Sequence, residues 1–134
     1  MTFLDPKLAE VVNRDPRYAY EAYEFIDRAL QYTLKMLGRE RSPGIAPGDP
    51  SFHVSGRELL EGIRRLALAE FGLLARTVFA QWGVHRTNDF GNIVFNLIDA
   101  GLMSRSDNDS LADFEDVYSF DEALDYRIQL DEAL

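Results

Sequence analysis

Cysteine is missing from the 134 residues. That absence removes disulfide frameworks and thiolate metal sites, and nothing in the chain asks for an oxidising compartment. Long apolar runs are missing too, since none approaches the roughly 18 residues of a membrane span. Residues Met1–Glu10 interleave Asp5, Lys7 and Glu10 with their apolar neighbours, unlike the unbroken apolar stretch of a signal peptide. These absences predict a cytoplasmic protein with no membrane partner. There is no G-x-S-x-G elbow, no P-loop and no dinucleotide-binding glycine pattern. Histidine occurs only twice, at His53 and His85, and the two match no zinc-ligand spacing.

Basic charge is also scarce, and unevenly so. The net charge is −9, and residues 87–134 hold twelve acidic side chains against two basic ones. Residues 1–56 are nearly balanced, and residues 57–86 carry a small basic excess from Arg57, Arg64, Arg65, Arg76 and Arg86. An acidic C-terminal third repels phosphate backbones and favours basic partners or cations. Solubility alone is the plainer reading of the same charge.

What is present suits one domain: 46% of the residues are hydrophobic, enough at this length to bury roughly two thirds of the unfolded surface. Asp5-Pro6 is a cap residue followed by proline at the first helical position and predicts a short helix to about Val12. Asp15-Pro16 repeats the signal. Behind it Ala22, Phe25, Ile26, Ala29, Leu30, Thr33, Met36 and Leu37 recur at helical spacing up to Gly38. Residues 1–38 thus read as an N-terminal helical arm. Residues 39–54, with Pro43, Gly44, Pro47, Gly48 and Pro50, read as a connector that propagates neither helix nor central strand.

Ser55 and Glu58 form a capping box, with Val54 placed to staple against Leu59. Leu59, Ile63, Leu66, Ala67 and Phe71 make one apolar face, and Gly72 interrupts it. Leu74, Val78, Phe79 and Trp82 form a second run, ended by Gly83. A third helix, capped by Thr87 or Asn88, buries Phe90, Val94, Leu97 and Ile98 and stops at Gly101. Leu102–Arg105 and Val117–Phe120 read as two strands around a polar turn. Asp121 is placed to cap an acidic C-terminal helix over 121–134. The expected fold is therefore mainly α with a small β-hairpin, an N-terminal arm on a winged-helix-like core spanning 55–120.

A winged helix invites a nucleic-acid reading, and the residues oppose it for duplex DNA. The polar positions of the third helix are Asn88, Asp89, Asn92, Asn96 and Asp99. The asparagines suit base edges, but no cation on that helix offsets phosphate repulsion. Arg57, Arg64 and Arg65 fall on the solvent side of the first core helix. They are read as a solvated face with pairs such as Glu61–Arg65, or as a docking surface for an acidic partner, an RNA or the acidic segment of a second copy. Asp107, Asp109, Asp113, Glu115 and Asp116 are the matching acidic candidates. Asp107-x-Asp109-x-x-x-Asp113 also suggests calcium, but an EF-hand register would put a ligand at Leu111, glycine at Ala112 and glutamate at Tyr118, and all three fail. No metal or cofactor is expected. An acid–base site would have to use His53 or His85 with Glu58, Glu61 or Asp89. In the tyrosine-rich run, Tyr18, Phe25 and Tyr32 share a core stripe, while Tyr20 and Tyr23 point away from it toward solvent or a partner.

Several blocks occur in order: His53-Val-Ser-Gly-Arg-Glu-Leu-Leu-Glu-Gly-Ile-Arg64, Trp82-Gly83, Asp89-Phe-Gly-Asn-Ile-Val-Phe-Asn-Leu-Ile98, Gly101-Leu102 and Asp113-Phe-Glu-Asp-Val-Tyr-Ser-Phe120. Together they resemble the Verruco/Plancto-restricted family of small bacterial proteins, over most of the chain from Tyr18 to Asp121. That family carries no assigned activity, so the resemblance implies a bacterial setting and supplies no catalytic residues. The function expected from the residues is a non-catalytic protein-interaction or regulatory adaptor. The alternatives are an RNA- or ribosome-associated factor using the arginine face, and a small enzyme built on His53 or His85 with a carboxylate.

Overall fold

The computed structural model describes residues 5–39, 53–104 and 109–125. Helix α1 (Pro6–Arg14) opens as its sequence predicts: the Asp5 carboxylate accepts the Lys7 N–H at 2.8 Å, with Pro6 in the first turn. It runs two residues past Val12. Asp15 does not open the next helix. It closes α1, and its carboxylate takes both the backbone and the guanidinium N–H of Arg17. Helix α2 (Tyr20–Met36) starts after Ala19 without a side-chain cap, and Gly38 ends it in the left-handed region at φ +69.

Helix α3 (Gly56–Phe71) carries the complete capping box, Glu58 N–H to Ser55 Oγ and Ser55 N–H to Glu58 Oε1. It breaks at Gly72, whose φ of +54 and ψ of −124 only glycine holds without strain. A 3-10 turn (Gly72–Leu74) leads into α4 (Ala75–Gln81). Helix α5 (Thr87–Asp99) is capped by neither Thr87 nor Asn88. Asp89 Oδ2 accepts the N–H groups of His85 and Arg86 instead, because the Thr87 hydroxyl is committed elsewhere, to the Phe114 carbonyl at 2.7 Å.

The most extensive helix contact is α2 against α3. It is close because Gly62 faces Thr33: a Cβ at Gly62 would lie 1.8 Å from Thr33 Oγ1. One apolar cluster runs from Val11 to Leu124, so α1 and α2 share a core with the helices that follow. Its centre is aromatic. Phe79 meets Phe25, Trp82, Phe90 and Phe120 at centroid distances of 5.1–5.9 Å, the spacing of offset and edge-to-face contacts. No helix among the described residues is long and apolar enough to cross a membrane.

The expected hairpin does not appear among the described residues. No strand occurs among the described residues; 102–104 are irregular and 117–119 lead into α6 (Phe120–Ala123). The physical reason is competition for backbone groups and side chains. After a second 3-10 turn (Leu111–Phe114), the Val117 N–H donates to Thr87 Oγ1 and the Asp116 N–H to Asn88 Oδ1. Tyr118 donates to the Leu60 carbonyl at 2.7 Å. Phe114 is buried over Gly56 and Gly91, where a Cβ at either would meet its ring or Cβ at 2.8–3.2 Å. The segment is a strap fastened across α3 and α5, and the Asp116 and Val117 N–H groups are not left for a ladder. Ser119, not Asp121, caps α6. Asp107, most of the 39–54 connector and residues 126–134 of the expected C-terminal helix lie outside the described residues.

Candidate partner-binding cleft

The polar face of α5 looks inward. Asn92 donates to the Tyr18 hydroxyl at 2.9 Å, and that hydroxyl donates to Asp89 Oδ1 at 2.7 Å. Asn96 donates to Asp15 Oδ2 at 2.8 Å and to the Tyr23 hydroxyl at 3.0 Å. Tyr23, expected to point away from the core, is 1% exposed; its polar tip tolerates burial because Asn96 is waiting for it. Burial pushes the Tyr18 hydroxyl up to about 12 and raises Tyr23 as well. The Arg17 guanidinium, bonded through two nitrogens, holds Asp15 down at about 2 with help from Asn96. Three asparagines that suit base edges in sequence are thus engaged with the N-terminal helices and the strap.

The arginine face is also largely paired. Arg64 grips Glu61 through two nitrogens at 3.0 and 2.7 Å, and its side chain is only 11% exposed. The position expected on the solvent side is therefore mostly covered. Arg65 bonds the same carboxylate at 2.9 Å, so Glu61 answers two cations and is held below the usual carboxylate range by the Arg64 hydrogen bond first. Arg57 is exposed.

Among the acidic candidates, Asp109 meets His53 Nε2 at 3.1 Å, Asp113 caps the strap by accepting the Ser110 N–H, and Asp116 pairs with Arg86 at 3.0 Å. Glu115 is exposed. The structure brings His53 to a carboxylate and leaves His85 exposed at a different place, so the two histidines do not share one site. Among the described residues, no group of three or more His, Asp or Glu side chains comes together to hold a metal ion.

A concave site does exist, and no sequence motif singles out its residues. An open cleft of about 590 Å³ lies between α4 and the end of the strap, lined by Leu73, Arg76, Ala80, Val84, His85 and Phe120 together with Thr77, Ser119 and Asp121. Leu73 and Leu74 are 81% and 61% exposed at its edge. The Gly72 break places them there: no single helix face can bury Phe71, Leu73 and Leu74 together, and the glycine turns the chain before it tries. That run of apolar residues after a glycine was the available signal. Arg76 and Asp121 pair across the rim at 2.6 Å with side chains 59% and 71% exposed. No protein-family model, curated protein or solved structure matches the chain.

Proposed function

We propose that this chain is a non-catalytic protein-interaction module and takes its partner at the α4 cleft. One observation carries the reading: two adjacent leucines stand exposed beside a cleft floored by Val84 and Phe120. Covering a leucine recovers about 1.5–3 kcal/mol, so the pair is the largest unrealised apolar contact at that surface. The rim suits exchange, because an exposed ion pair such as Arg76–Asp121 is worth about 1 kcal/mol or less and yields readily to a partner's charges. The cytoplasmic, bacterial setting rests on composition and on the family resemblance. A winged-helix-like kinship rests on the order of α3, α4 and α5, with no wing strand among the described residues.

The two other readings have less support. An RNA factor needs free cations, and Glu61 binds both Arg64 and Arg65. An enzyme needs His53 or His85 to converge with a carboxylate in a pocket. His85 and Asp121 both line the cleft, but the Asp121 carboxylate is held by Arg76 at 2.6 Å, and the His53–Asp109 pair does not line it. The test is capture from lysate of the native host, with and without nuclease treatment, using three baits. The wild type and the R64E/R65E variant should retain one protein partner near equal stoichiometry, and L73E/L74E should lose it. A nuclease-sensitive set lost only from R64E/R65E would overturn the reading in favour of RNA.

A further inference from the structure

We infer that the partner of this cleft is a second copy of the same chain, docked about a two-fold axis so that each copy's Leu73 and Leu74 enter the other's cleft. The inference deepens the proposed function and rests on it. A two-fold contact needs a surface complementary to itself, and here a projection adjoins a hollow: Leu73 lines the cleft, and Leu74, its neighbour in the chain, is exposed. The outer face of α4 between them is formed by Thr77, Ala80 and Gln81, all exposed and two of them short. Short side chains let two such helices approach closely.

Charge selects the copy over other occupants. Two chains of net charge −9 repel at long range, so a self-contact must form where the local charge balances. The ionisable rim is Arg76, His85 and Asp121, one fixed charge of each sign. A basic peptide would meet Arg76, and an acidic one would meet Asp121. A second copy brings both signs, and the Arg76–Asp121 pair within each copy becomes two pairs across the axis. Both side chains are more than half exposed, free enough to turn.

The experiment measures mass by sedimentation and native mass spectrometry across the micromolar range, using the full chain. Wild-type protein should be dimeric, and L74E monomeric. R76D and D121R should each weaken self-association roughly tenfold or more, since each places like charges across the axis. Mixed in equal amounts, they should recover wild-type affinity as a one-to-one heterodimer. Position 76 of the first variant, now acidic, then meets position 121 of the second, now basic. On the other side of the axis, the second variant's unaltered Arg76 meets the first variant's unaltered Asp121. Melting curves recorded in the dilute, monomeric range should stay within a few degrees of the wild type, as all three positions are exposed and the exposed intrachain pair that is lost contributes little to stability. A monomeric wild type would overturn the inference, as would a dimer indifferent to L74E or a mixture that stays monomeric. None of these results touches the lysate comparison, which judges the cleft as a docking site on its own.

Discussion

Replacing Gly62 with alanine should destabilise the protein, although alanine is the better helix former by about 1 kcal/mol. The reason is geometric. The new Cβ would fall 1.8 Å from Thr33 Oγ1 and 3.0 Å from Thr33 Cβ. Thr33 is fully buried, and its hydroxyl donates to the Ala29 carbonyl at 2.6 Å. Relief therefore takes one of two forms. If Thr33 changes rotamer, the hydroxyl loses its acceptor in the core, at about 1–3 kcal/mol. If α2 and α3 separate, the most extensive helix contact loosens, at about 1–3 kcal/mol. After crediting the propensity gain, the net loss is about 1 kcal/mol, or a melting temperature lower by roughly 3–5 °C. Thermal unfolding followed by circular dichroism reads this directly. The Thr33→Ala change removes the clashing atom, so T33A/G62A should be more stable than the sum of the single effects by about 1–3 kcal/mol. Additive single effects, or a G62A protein as stable as the wild type, would refute the close crossing.

Three further outcomes follow from the polar seam and the loops. Gly83→Ala should cost about 3 kcal/mol or more, because the site has φ +86 and the Cβ would sit 2.1 Å from the Arg17 carbonyl. Gly38→Ala, also at positive φ but with nothing within 4 Å, should cost about 1 kcal/mol; equal effects in urea titrations would mean that the Gly83 loop does not dock on Arg17. Asn96→Ala should lower stability by about 1–3 kcal/mol, since it strips the buried Tyr23 hydroxyl of its donor, and a change under about 0.5 kcal/mol would class it with ordinary surface substitutions. Asp15 is depressed from 3.8 to about 2, so its contribution is fully present above the ordinary value and is lost as pH falls through the depressed one. With Arg17 62% exposed, screening limits it to about 1 kcal/mol. The urea midpoint of Asp15→Asn should therefore converge on the wild type near pH 2, and a gap that stays constant from neutral pH down to that point would disprove the linkage.

Helix positions were legible because they depend on local patterns. The capping box at Ser55 and Glu58, the Asp5-Pro6 start and the Gly38, Gly83 and Gly101 stops all act within a few residues, and each one appears in the fold. What could not be read was long-range. Asp15 is an ideal cap by type, yet Arg17 claims it from two residues away and Asn96 from eighty-one. Val117–Phe120 alternates like a strand, but its partners are distant in sequence: the Val117 N–H goes to Thr87, the Tyr118 hydroxyl to the Leu60 carbonyl, and the Phe120 ring to Phe79 and Phe90. Tyr23 lies off the Tyr18–Phe25–Tyr32 stripe on a single-helix projection, and α5 supplies a second inward face. The cleft combines residues on both sides of a long interval, from Arg76 to Asp121, so no spacing motif marks it.

The acidic C-terminal third looks in sequence like a field waiting for a partner, and the fold gives much of it work inside the chain. Asp89 caps α5 and holds Tyr18. Asp109, Asp116 and Asp121 reach His53, Arg86 and Arg76, drawing mainly on the segment with the basic excess. Yet these contacts are not what holds the strap down. The Asp116 and Asp121 pairs are more than half exposed on both sides and are worth at most about 1 kcal/mol each. Burying Phe114 and Phe120 contributes about 1.5–3 kcal/mol each, and the Thr87 and Tyr118 hydrogen bonds add about 1 kcal/mol apiece. Apolar anchors thus fix the strap, while the ion pairs set its register and remain free to re-pair. At Arg76–Asp121 that freedom lies on the rim of the cleft, which is why a surface built from weak, exposed pairs around two leucines is better suited to recognising a partner than to stabilising the fold.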